Sequence, residues 1–415
     1  MKLTTKDREI LRSLADTIAG IARLPIHREK SLLWQRLNDK RPERPMVWIN
    51  EIPWHEMNVN DELTLYCEHE WARGLEQQMK RTIYQWKHMP GDMIVSDYLA
   101  CPLIIKNTGL GIKEDVEIRR TDENSGIVSR EFHAQIKEPE DIALIQDPVV
   151  SLDVESTEDH FSTMEELFRD IIEVRKEGIP HIWFTPWDNL IRLWGVEQAM
   201  IDLVLRPDMV NAIVARFVEA SMKMLDQYEE LNLLSLGISN NRVGSGGYGY
   251  VSDLPGTEFD PSHPRPKNMW GCSNAQIFSD VSPEMHWEFA VRHDLPWLAR
   301  WGVTYYGCCE PLDNKIEVLG HIPNLRKISV SPWVKMPRIV REVEDRYVYS
   351  RKPNPAIFAM ETWNPDQAGK AIRDDLDVLE GCPVELIMKD ISTVKYAPQR
   401  LWEWEKIAME EATRR

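Results

Sequence analysis

The sequence predicts an α/β protein, a (β/α)8 TIM barrel formed by residues 1–415 as a single domain. Two observations carry that expectation. Short runs of β-branched and aromatic residues alternate with amphipathic helical stretches, strand first, which implies a parallel sheet. The alternation provides eight strand candidates, a number that suits a barrel better than an open sheet. With 415 residues and 43% apolar content, the chain has enough material for a large core.

Residues 1–40 form a helical extension. Within 7–23 the apolar residues Ile10, Leu11, Leu14, Ile18 and Ile21 fall at helical spacing. Strands are expected at 45–51, 93–96, 181–185, 233–238, 303–308, 326–330, 347–350 and 384–388. A long helix is expected over 195–225. Another opens at Ser282-Pro283-Glu284, where Ser is a cap, Pro fits the first turn and the carboxylate meets the helix dipole. Further helices are expected at 337–345, 365–379 and 398–413. The acidic, alternating segment 100–160 breaks the rhythm and reads as an insertion, a β-hairpin over the barrel mouth.

A net charge of −17 argues against a nucleic-acid partner, since phosphates reward stripes of Lys and Arg. No apolar run reaches membrane-spanning length, and residues 1–6 have no apolar targeting core. Six cysteines without regular spacing suggest reduced thiols and a cytoplasmic address.

Barrel chemistry sits where strands end. That rule gathers Trp54, His55, Trp187, Asn241, Arg242, Cys308, Cys309, Glu310, Trp333, Lys352, Asn354, Lys389 and Asp390 at the mouth. The run Tyr305-Tyr306-Gly307-Cys308-Cys309-Glu310-Pro311 is the most informative. Two thiols and a carboxylate suit a borderline metal such as zinc, whereas adjacent cysteines form a disulfide only with strain. The alternative is two small buried hydrophobes. Strand alternation would put Cys308 and Glu310 on one side and Cys309 behind them. Glu310 is either a ligand or a helix-start residue before Pro311.

His55 is either a base, ligand or substrate donor, or a hydrogen-bonded structural histidine. Trp187 and Trp333 either stack on a substrate or pack the fold. Arg242 either holds a carboxylate or forms a surface ion pair. Asn241 and Arg242 lead into Gly244-Ser245-Gly246-Gly247-Tyr248-Gly249. This run lacks the pattern of a phosphate loop, so a mobile lid or substrate loop is expected there.

Phe184-Thr185-Pro186-Trp187, Leu193-Trp194-Gly195, Arg206-Pro207-Asp208, Phe278-Ser279-Asp280-Val281-Ser282-Pro283-Glu284 and Lys352-Pro353-Asn354-Pro355 follow one another in a familiar order. Through them the chain resembles the uroporphyrinogen decarboxylase superfamily, most clearly over residues 170–412. That superfamily includes zinc-dependent methyltransferases that exchange methyl groups with a corrinoid protein. Its methyltransferase branch carries His-x-Cys after the strand matching 303–308 and a further Cys near the last strand. This chain departs from that pattern: one alignment sets Tyr306 and Cys308 on the first pair, the other, preferred because Tyr rarely ligates zinc, sets Cys308 and Glu310 on it, and Asp390 lies nearest the late Cys.

The resemblance therefore implies zinc held by Cys308, Glu310 and Asp390. It also implies a corrinoid carried by a partner protein and a small methyl donor or acceptor, an ether, thiol or aromatic compound. Trp54, Trp187, Asn241, Arg242, Trp333, Lys352 and Asn354 are the candidate substrate contacts, and His55 joins the catalytic set. A metal-free decarboxylase is the second reading. Its polyanionic substrate is disfavoured because Glu51 stands where that branch has an Arg-rich segment. A non-catalytic barrel is the third.

Overall fold

The computed structural model describes residues 2–119 and 128–415. Residues 120–127 of the expected insertion lie outside the described residues. At its centre is a six-stranded, all-parallel sheet. Its spatial order is Met46–Ile49, Val384–Met388, Val348–Arg351, Leu325–Val330, Val303–Tyr306 and Trp270–Ser273. The first strand of the chain thus lies beside the last, as in a barrel. A parallel pair, Tyr98–Pro102 with Glu173–Glu177, and a single parallel bridge from Ile179 to Leu234 continue the alternation. Among the described residues, strand pairing does not close these pieces into a ring.

Five expected strands are present: Met46–Ile49, Val303–Tyr306, Leu325–Val330, Val348–Arg351 and Val384–Met388. Three are not. Residues 93–96 are unpaired, and the strand follows at Tyr98–Pro102. Residues 181–185 lead straight into a helix, and 233–238 contribute one bridge. The expected 195–225 helix is two helices, Val196–Leu205 and Pro207–Glu230, and a further helix, Pro186–Trp194, precedes them. Gly195 separates the first two, and Pro207 starts the third because proline lacks an N–H to continue the preceding turn.

Ser282 caps its helix as expected, accepting from Met285 N. The insertion contains an antiparallel hairpin, Val116–Arg119 with Ser129–Phe132. Its neighbourhood bonds to outer helices: Gln135 N donates to Leu193 O at 2.6 Å, and Arg216 Nε to Ile145 O at 3.0 Å.

The Gly-rich run is not a lid. Residues 243–249 are buried, and they fill the sheet interior where strand pairing is missing. Tyr248 packs on Trp48 and Trp34, with ring centroids 4.6 and 5.2 Å apart. Asn38 of the Ile26–Asn38 helix donates to Tyr248 O and Tyr250 O at 2.8 and 2.7 Å. A side chain at Gly247 would collide with the Trp34 ring and the Glu385 carboxylate. Glycine is needed there so that the backbone can approach. Gly247 N then donates to Glu385 Oε1 at 2.9 Å, and Glu385 pairs with Lys327 at 2.7 Å, both fully buried.

Candidate functional site

The Val303–Tyr306 strand ends at Gly307, whose φ of +98° suits glycine. The turn ends strand alternation, so the two cysteines do not face opposite ways. Cys308 Sγ and Cys309 Sγ lie 3.7 Å apart. Cys308 is buried, and Cys309 is half-buried. Lys389 Nζ, after the last central strand, lies 3.8 Å from Cys308 Sγ and 2.6 Å from Asp390 Oδ2. Cys309 Sγ is 3.8 Å from Asp390 Oδ2. Glu51, after the first strand, lies 3.6 Å from Lys389 and pairs with Arg242 at 2.7 Å. The ends of three central strands thus meet around one thiol.

The electrostatics favour a thiolate at Cys308. The Cys309 hydrogen bond lowers its pKa, burial opposes this, and the nearby Lys389 and Lys352 add to the lowering. Cys309 is pushed up in turn by the same hydrogen bond. Burial would lower Lys389, but Cys308, Glu51 and Asp390 raise it, so it stays an ammonium. Burial also raises Glu51, yet the hydrogen bond with Asp390 and the charges of Arg242 and Lys389 bring it down to about 2. Asp390 is raised by burial and by Glu51.

Glu310 departs from the expected ligand role. It is fully buried, and its two oxygens accept from Cys308 N at 2.8 Å and Ala275 N at 3.1 Å. It fixes the turn that presents Cys308. Among the described residues, no group of three or more His, Cys, Asp or Glu is arranged to hold a metal ion. The Lys389 ammonium sits against Cys308 and Asp390, where a metal cation would have to lie. The expected set of Cys308, Glu310 and Asp390 therefore does not fit zinc.

Trp54 and His55 line a pocket of 780 Å³ together with Glu51, Asn58, Gln77, Arg81 and Ile391. His55 Nε2 lies 3.7 Å from Glu56, whose carboxylate is held by Thr393 and Val394 N at 2.6 Å each. Arg242 joins the cluster through Glu51. Asn241 does not, because its amide donates to Ser239 Oγ at 2.8 Å. Lys352 lies buried in the sheet interior, donating to Tyr305 Oη and Ser350 Oγ at 2.7 Å each. Trp187 is a core residue: it is 1% exposed and donates to Phe289 O at 2.7 Å. Trp333 is 69% exposed. Asn354 caps the short helix after it, accepting from Ala356 N.

The sequence did not single out His181 and Cys272, 3.4 Å apart beneath the cluster. Burial lowers His181 to about 4 and raises Cys272 to about 12, so both are neutral packing groups. It also missed Arg81, which lies on the face of a helix rather than at a strand end.

No protein-family model matches the chain. No curated protein matches it. Among solved structures, a methyltransferase from Methanosarcina mazei aligns with 92% of this chain and 97% of its own, at 12% identity and a TM-score of 0.49. A likeness of that degree carries no argument about activity.

Proposed function

We propose that the protein is a methyltransferase in which the Cys308 thiolate meets the transferred methyl group. The observation that carries this reading is the contact of Lys389 Nζ with Cys308 Sγ at 3.8 Å, beside a 780 Å³ pocket. A buried thiol whose ionisation is favoured by the Cys309 hydrogen bond and by a neighbouring ammonium is a soft nucleophile suited to displacement at carbon. The choice of a methyl group rests on the motif order that resembles the wider superfamily, which includes methyltransferases.

In the step, the Cys308 sulfur forms a bond to the methyl carbon as the carbon's bond to the donor atom breaks. The donor atom leaves with the electron pair. Where the leaving group is an oxygen or nitrogen anion, it takes its proton from solvent. A methyl sulfonium or quaternary ammonium donor leaves neutral and needs no proton. A polyanionic decarboxylase substrate is disfavoured, because Glu51 already balances Arg242 and Lys389.

The test is incubation with trideuteromethyl-labelled donors of three kinds: a sulfonium, a quaternary ammonium and an aryl methyl ether. Peptide mass mapping then locates the label. The expected result is label on Cys308 with at least one donor and none in Cys308→Ser. Absence of label on Cys308 with all three would sink the reading.

A further inference from the structure

We infer that the 780 Å³ pocket lined by Trp54 and Arg81 seats a substrate bearing a single carboxylate, held by the Arg81 guanidinium. This deepens the proposed function by naming the substrate class, and it rests on that reading for the position of the reacting group.

Arg81 lies on the Glu70–His88 helix and is half-buried. It makes no hydrogen bond or ion pair with any described residue. Its guanidinium lies 5.2 Å from the Trp54 ring centroid, which holds it in place at the pocket wall. Burial without an acceptor disfavours the charge and lowers its pKa. Gln77, four residues earlier on the same helical face, also has no partner among the described residues. An unpaired guanidinium beside a free amide is a receptor for a planar carboxylate, which arginine engages through two parallel hydrogen bonds.

Glu51 also lines the pocket, and its oxygens contact Arg242 and Lys389 at 2.7 and 3.6 Å. Lys389 in turn touches Cys308 Sγ at 3.8 Å. The Glu51–Lys389 pair thus links the end of the pocket at Glu51 to the thiolate. The Glu51 charge repels a second carboxylate at that end, which limits the substrate to one. The volume lies within the roughly 300–1,000 Å³ usual for small-molecule sites.

The experiment measures calorimetric binding of para-methoxybenzoate, phenylacetate and hexanoate, each against its own neutral amide. The proteins are the wild type, Arg81→Gln and Arg81→Lys, each confirmed as folded by circular dichroism. At least one acid is expected to bind wild type about tenfold or more tightly than its amide. Arg81→Gln erases that preference, and Arg81→Lys keeps part of it. Binding is read without methyl transfer, so failure of the methyl-labelling test and failure of this one are separate results. The inference is overturned if no acid outbinds its amide, or if the preference survives in Arg81→Gln.

Discussion

At the scale of single residues, the site depends on what surrounds one sulfur. With Lys389 beside it, Cys308 ionises below the ordinary thiol range. The rate of iodoacetamide alkylation at Cys308 against pH, followed by peptide mass, is expected to show that lowered midpoint. Lys389→Met removes a supporting cation and is expected to slow alkylation at neutral pH by roughly tenfold, the effect of one pKa unit. An unchanged profile would mean that Lys389 does not set the ionisation. Glu310 supplies a second prediction. Because its oxygens take two buried backbone N–H groups, Glu310→Ala leaves both unpaired. The expected loss is about 2–5 kcal/mol in urea unfolding. A nearly neutral effect would return Glu310 to the role of a functional carboxylate.

At the scale of elements, the central strands were legible where the residues are β-branched or aromatic, as in Val303–Tyr306 and Val384–Met388. Trp270–Ser273 was not, since Trp-Gly-Cys-Ser has no β-branched residue and its role comes from pairing with Val303–Tyr306. The candidate site was legible only as strand ends. Position along the chain identified Cys308, Lys389 and Asp390. It misassigned Glu310 and Cys309, because a left-handed Gly307 abolishes the alternation used to aim them. The Gly-rich run was misread for a related reason. Glycine permits both mobility and close approach, and composition alone does not distinguish them. Gly247→Ala decides the matter at this position. A lid would tolerate it, whereas the buried contact with Trp34 and Glu385 predicts a loss of about 1–3 kcal/mol in the unfolding free energy. Lys327→Met, which strands the buried Glu385, is expected to cost about 3–5 kcal/mol in the same measurement.

For the whole molecule, the buried histidines set an acid limit. Burial holds His181 at about 4 and His286 at about 3 in the fold. The unfolded chain protonates them near pH 6.5. Below roughly pH 6.5 the unfolded state therefore binds protons that the fold refuses, and stability falls as pH drops toward 4. Asp294, which burial raises to about 8, works the other way, since the fold holds a proton there that the unfolded chain releases, so the histidine contribution is read as a loss of acid sensitivity in the urea midpoint between pH 7.5 and pH 5 in His181→Asn. An equal slope in that variant would exclude His181 as a contributor.

The ribosome releases the Ile26–Asn38 helix long before it makes the segment that covers it. The Trp34 indole N–H reaches Asp92 O, but the ring gains its cover, and the Asn38 amide its partners, only when Gly247, Tyr248 and Tyr250 have emerged. Until then an indole and a buried amide face solvent, and the first strand lacks its neighbour from the C-terminal end of the chain. The nascent N-terminal half thus exposes apolar surface until the rest of the chain is made. A chain stopped before residue 243 is a fragment without a floor, not a smaller version of the protein.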